Sequence, residues 1–326
     1  MTPSRLAQTI LVALLLLALI IGGGYFLGGS KFLKSVLLRD SNIAPLGVIY
    51  LSLIPLSDET NNRLAVYAFD IEKNTLAPYL ASSSVSYLTS SFSSDGINLA
   101  FSRIDDAMNI FVKSQTGEEK KMTGNTEVLI RRNPVWSPSG ETIAYLGRRD
   151  ANGNGLNPEE WQIYILNTKN GNERFITNGS NPLFTPGGDI LVLKGDGLYL
   201  IDLFTNIGER VWDVSGGKAF AHMKLNISRD GKYIAWAVPH QSRVIILEVT
   251  SWRPFSASII KEFPSTAFWP VFSPDARWLA LQEVDGANTT TPNPRLIIFN
   301  LETGDKQTLL DLKSYDNQAM FVTDWI

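Results

Sequence analysis

One short turn recurs five times, and a repeat at this spacing restricts the chain to few architectures. Each copy has an apolar residue, a serine or threonine, two turn residues, usually a glycine, and then an apolar run. The copies are FSSDGINLAF from Phe92, WSPSGETIAY from Trp136, FTPGGDILVL from Phe184, ISRDGKYIAW from Ile227 and FSPDARWLAL from Phe272. Their Ser93, Ser137, Thr185, Ser228 and Ser273 lie 44, 48, 43 and 45 residues apart, the period of a four-stranded propeller blade. A type I turn accounts for the chemistry, because it favours Ser first, Pro second and Gly fourth. Ser94 and Arg229 replace the proline and Ala276 the glycine, and only a positive φ would make glycine necessary there.

A second signal is an apolar strand running into a polar turn and a further short strand, as in IYILNTKNGNERFIT from Ile163 and LIIFNLETGDKQTLL from Leu296. Six such strands centre near Tyr67, Ile110, Tyr164, Leu200, Ile246 and Ile298. Five turns and six hairpins agree if the chain ends share a blade, with MFVTDWI from Met320 innermost and GVIYLSLI from Gly47 beside it. The expected fold is thus an all-β, six-bladed β-propeller closed by its terminal strands, which leaves no long edge exposed.

These repeats resemble those of the TolB-like propellers, whose WD-type repeat carries a Ser-Pro-Asp-Gly turn before an Ile-Ala-Tyr-like strand. The resemblance runs over residues 44–326 and implies a six-bladed ring with extracytoplasmic protein-binding roles. The chain departs from TolB itself in showing no N-terminal α/β domain and in carrying a hydrophobic start, so the Tol system is not implied.

That start, Leu6 to Leu27, is uncharged and long enough to cross a bilayer as a single transmembrane helix. A cleaved signal peptide is the alternative, with Arg5 before the apolar run and Gly22 to Gly24 as small residues for a peptidase. The expected organisation is a short tail at 1–5, the anchor at 6–27, a linker at 28–43 and the propeller at 44–326. Lys31, Lys34 and Arg39 after the helix would keep the domain inside by the positive-inside count. The resemblance places it on the extracytoplasmic side of the membrane, which is the expectation adopted.

Composition removes several classes of function. A net charge of -3 with no basic block argues against nucleic acid, and the absence of cysteine excludes thiolate chemistry and disulfides. Only His222 and His240 occur, both read as structural or surface residues. No Gly-x-Ser-x-Gly elbow, glycine-rich phosphate loop or His-Glu-x-x-His helix is present.

The most pointed local feature is the loop from Asp150 to Glu160, where oxygen ligands alternate with glycines. Asp150, Asn152 and Asn154 follow the order of a calcium loop, and Glu159 or Glu160 could replace the glutamate that an EF-hand has at its twelfth position, here Trp161. The loop is a candidate structural calcium site, with a solvated Asn-Gly turn as the alternative. Trp161 is the aromatic expected to be exposed.

Asp105-Asp106 and Glu118-Glu119 read as solvated turns, since neighbours on a strand face opposite ways. Trp136, Phe184, Trp269 and Phe272 lie on or beside innermost strands, where packing between blades is favoured over a ligand lining. Inserts at 54–62, 147–160 and 285–294 should share one face and form the recognition surface for a protein partner. The expected function is a non-enzymatic, membrane-anchored interaction module. A propeller hydrolase or lyase acting on a cell-surface polymer through channel carboxylates is the alternative.

Overall fold

The computed structural model describes residues 45–55, 64–82, 84–104, 107–124, 128, 130–149, 161–213, 224–238, 243–264, 267–285, 293–312 and 318–326. The expected anchor therefore lies outside the described residues, and among those described no helix is long and apolar enough to cross a membrane.

Within these residues 24 strands form six antiparallel sheets of four. Blade I contains β1 (Val48–Pro55), β2 (Ala65–Asp70) and β3 (Thr75–Leu80). Blade II is β4 (Ser86–Phe92), β5 (Leu99–Ile104), β6 (Met108–Lys113) and β7 (Glu119–Lys121), and blade III is β8 (Ile130–Trp136), β9 (Thr142–Arg148), β10 (Gln162–Asn167) and β11 (Glu173–Asn178). Blade IV follows with β12 (Ser180–Phe184), β13 (Ile190–Lys194), β14 (Gly197–Ile201) and β15 (Gly208–Asp213). Blade V is β16 (Leu225–Ile227), β17 (Tyr233–Val238), β18 (Arg243–Trp252) and β19 (Phe255–Pro264). Blade VI is β20 (Phe268–Phe272), β21 (Trp278–Asp285), β22 (Asn293–Asn300) and β23 (Lys306–Asp311). The last strand, β24 (Gln318–Trp325), pairs with β1 and becomes the innermost strand of blade I, as the repeat count requires.

Second and third strands are apolar on both faces because each sheet is covered on both sides by its neighbours. Ile190, Leu191, Val192 and Leu193 of β13 are all fully buried, whereas β7 at the outer edge is exposed throughout. Six hydrophobic clusters hold the ring, and each joins two adjacent blades. Phe184 and Phe272 belong to two of them, and Trp136 donates its indole N–H to the Ser91 carbonyl of blade II at 3.0 Å, so these aromatics pack blades together.

The recurrent serine is explained by hydrogen bonds inside its own turn. Ser273 Oγ accepts the Trp278 amide at 2.9 Å and donates to Asp275 at 2.6 Å, while Asp275 accepts the Arg277 amide at 3.1 Å. Ser228, Asp230, Lys232 and Tyr233 repeat the same set. The fourth turn position has positive φ in every copy, with Gly96 at 72° and Ala276 at 56°. The repeat therefore does call for glycine, and Ala276 tolerates a conformation that L-residues disfavour.

Ser273→Ala is expected to cost about 1–3 kcal/mol, because it strands the partly buried Trp278 amide and removes one of the partners of Asp275. Thr185, the threonine at this position of blade IV, leaves its hydroxyl without a hydrogen-bond partner, so Ser273→Thr should lose part of the same stability. Urea unfolding checks this: an unchanged midpoint in Ser273→Ala would mean that the hydroxyl does not hold the turn.

Candidate functional site

The six innermost strands converge on one opening of about 290 Å³ at the end of the ring that carries the serine turns. Its wall includes Phe92 and Ser94 of blade II, Trp136 and Pro138 of blade III, Asn226 and Arg229 of blade V, and Asp324 of blade I. Innermost strands do not pair with each other, so side chains bridge them. Asp324 accepts the Phe92 amide at 2.6 Å, Thr89 accepts the Asn133 amide at 2.8 Å, and Asn226 accepts the Phe272 amide at 3.0 Å.

Asp324 is the single acidic side chain among the residues lining this opening. Burial raises its pKa above the usual carboxylate range, opposed by the Phe92 and Trp325 amides and by the charge of Lys224. Lys224, immediately before β16, reaches across blade VI to blade I and donates to the carbonyls of Thr323 at 3.0 Å and Val322 at 3.5 Å. Its ammonium also lies 5.8 Å from the Trp269 ring centroid. Burial pushes the Lys224 pKa down to about 8, with Asp324 acting the other way. Loss of water outweighs mutual attraction for both partners, so each is driven toward neutrality. Lys224 thus lies within reach of protonation change near neutral pH, beside an acid that holds its proton more firmly than usual.

The backbone is strained beside this pair. Trp269 adopts φ 58°, which is rare for a bulky side chain, at the point where β20 slips register against β21. Asn133 and Asn181 occupy matching irregularities in β8 and β12 with φ 54° and 52°. Asparagine suits this conformation and tryptophan does not, so the ring holds Trp269 there at a local energetic cost. Its ring meets Phe321 edge-on at 5.1 Å.

A second polar cluster is consumed by structure. Arg131 of β8 is 1% exposed and binds Asn109 at 3.1 Å, the Val128 carbonyl at 2.7 Å and Glu173 at 3.3 Å, and Glu173 also accepts the Tyr145 hydroxyl. These bonds join blades II and III internally.

Of the residues singled out from sequence, Asp150, Asn152, Asn154, Glu159 and Glu160 lie outside the described residues, as do Asp105, Asp106, His222, His240 and most of the three inserts. Among the described residues no cluster of three His, Cys, Asp or Glu could hold a metal. Glu119 turns to Arg103 at 3.1 Å on the outer hairpin, away from the opening. Trp161 corrects an expectation: it is 2% exposed, because it packs against blade IV and lies under the guanidinium of Arg132. Lys224 and Asp324 were missed, since neither belongs to the repeat. The available signal was an acid within the apolar innermost strand MFVTDWI.

Ring, turns and closure together define a six-bladed β-propeller, the fold of TolB proteins. Its structural neighbours include TolB from Acinetobacter baumannii, with a TM-score of 0.65 and 19% identity over 86% of this chain and 66% of that one. A puromycin-hydrolyzing peptidase of Mycobacterium tuberculosis shares the fold at a TM-score of 0.56 and 12% identity, over 80% of this chain and 44% of that one. No protein-family model matches the chain. In sequence it is similar to the uncharacterized peptidase YuxL of Bacillus subtilis, 25% identical over 213 residues. That match spans 56% of this chain and 29% of the peptidase, so the chain covers less than a third of its relative's length. The expectation of a non-enzymatic module is overturned by this similarity to a peptidase.

Proposed function

We propose that the ring receives an extended peptide segment end-on at the opening lined by the serine turns, with Asp324 taking the amine of the incoming chain. The observation carrying this reading is a single carboxylate, backed by a half-buried lysine, at the convergence of six strand edges. Such edges offer backbone donors and acceptors to an extended chain. The cavity is at the small end of the usual range for ligand sites, about 300–1,000 Å³, which suits a chain end better than a folded domain. We further propose that Leu6 to Leu27 holds the ring at a membrane with the propeller on its outer side.

Plugging the mouth tests the site. Ser94→Trp and Pro274→Trp place bulk on exposed lining residues, and each is expected to abolish retention of a hexapeptide library by the full chain in detergent. Retention unchanged in both variants would move the site elsewhere.

Peptide cleavage is a second reading, favoured by the peptidase relative and by the proton-exchanging character of Lys224 and Asp324. A mechanism through paired channel carboxylates lacks its second acid among the described lining residues. Mass spectrometry of the same library detects cleavage: fragments lost on Lys224→Met would support it, and an intact library would count against it.

A further inference from the structure

The other notable cationic cluster is in blade III, at the end of the sheet opposite the serine turns. Arg132 of β8 lies with its guanidinium carbon 3.8 Å from the centroid of the Trp161 ring, and that of Arg148, at the end of β9, lies 5.3 Å from the same centroid. Pairing explains the meeting: Arg132 is opposite Leu146 and Arg148 is opposite Ile130, while Gln162, next to Trp161, is opposite Gly147. All three side chains thus gather at one end of the blade, on the side facing blade IV. The Trp161 carbonyl accepts the amide of Gly179, the residue between β11 and β12, at 2.9 Å, and its ring packs against blade IV.

Arg132 is not matched as its neighbour Arg131 is. Arg131, next in sequence, is matched by Glu173, Asn109 and a carbonyl, whereas the buried Nε of Arg132 has no hydrogen-bond partner. Its pKa is pushed down to about 10, first by burial and then by the like charge of Arg148. Partly buried cations are normally paired, and cation–π contact with one indole offsets only part of the cost of desolvation. A planar guanidinium fork held against an indole beside a second guanidinium matches an oxyanion.

We propose that Arg132, held over Trp161 beside Arg148, forms an anion-binding site that takes a carboxylate or phosphate group of a ligand approaching the insert-bearing face. The indole fixes the guanidinium plane, and the fork of Arg132 supplies the directed hydrogen bonds. The site is independent of the opening on the opposite end of the ring.

Thermal unfolding of the full chain in detergent tests this, with inorganic phosphate or acetate exchanged for chloride at constant ionic strength. Wild type is expected to gain melting temperature in proportion to the logarithm of anion concentration. Arg132→Gln should weaken that response by about tenfold or more, since a charge-assisted hydrogen bond is lost. Without added anion, Arg132→Gln should be at least as stable as wild type, whereas a purely structural arginine would leave a less stable variant. A response to phosphate alone would assign a phosphate-bearing ligand, and a response to acetate a carboxylate-bearing one. Equal responses in wild type and Arg132→Gln, or a variant destabilised without any anion effect in wild type, would overturn the proposal. So would a response that emerges only after Asp150, Glu159 and Glu160 are neutralised to Asn, Gln and Gln, which would give the site to the chain's own loop.

Discussion

Lys224→Met combined with Asp324→Asn is expected to raise the stability of the propeller by about 1–4 kcal/mol while removing peptide capture. The two ionisable groups are half-buried within the ring, and loss of water pushes both toward their neutral forms. Replacing a half-buried pair with an apolar and a neutral polar residue recovers part of the desolvation cost, and the side-chain carbonyl left by Asp324→Asn can still accept the Phe92 amide. The sign of the pH dependence follows from linkage. Below pH 8 Lys224 is protonated in both states, and the cost of burying its charge is fully present. From about pH 8 to the ordinary lysine value of 10.5 the unfolded chain binds more protons, so stability rises with pH. Asp324 acts in the opposite sense: between 3.8 and its raised value the folded state holds the proton, and its contribution falls as pH increases through that window. Chemical denaturation of wild type and Lys224→Met from pH 7 to 10.5 checks this. An alkaline rise that persists in Lys224→Met would assign the effect to another group.

Gly47→Ala should damage the ring at its closure. Gly47 has φ 98°, and a Cβ there would stand 2.4 Å from the Ile326 carbonyl oxygen. That oxygen accepts the Val48 amide at 2.7 Å, and the Ile326 amide returns a bond to Val48 at 3.0 Å. The substitution combines left-handed strain with displacement of these two bonds, for an expected loss of about 2–4 kcal/mol. Gly96→Ala is the control, since it also has positive φ but meets nothing within 4 Å, and it should lose only about 1–2 kcal/mol. Equal losses in the two variants would show that the β1–β24 junction carries no special weight in stability.

The fold is readable because its determinants are local. Each serine turn is stabilised within six residues, so Ser228 and Ser273 advertise their geometry in sequence, and the apolar third strands repeat at blade spacing. Closure is readable because MFVTDWI and GVIYLSLI each lack a partner until joined. The turn at Ala276 misleads because a residue name does not reveal φ. Trp161 looks exposed from the polar loop before it, although its position next to β10 directs it against blade IV. The channel pair is hidden for a stronger reason: Lys224 and Asp324 are 100 residues apart and meet only when blade V lies two places from blade I around a closed ring.

The most direct test of the channel reading compares two hexapeptide libraries, one with free N-terminal amines and one N-acetylated, for retention by the full chain in detergent. Capture through Asp324 predicts that the free-amine library is retained and the acetylated one is not, and that Asp324→Asn weakens retention by about tenfold or more. Equal retention of the two libraries, or retention unchanged by Asp324→Asn, would contradict it.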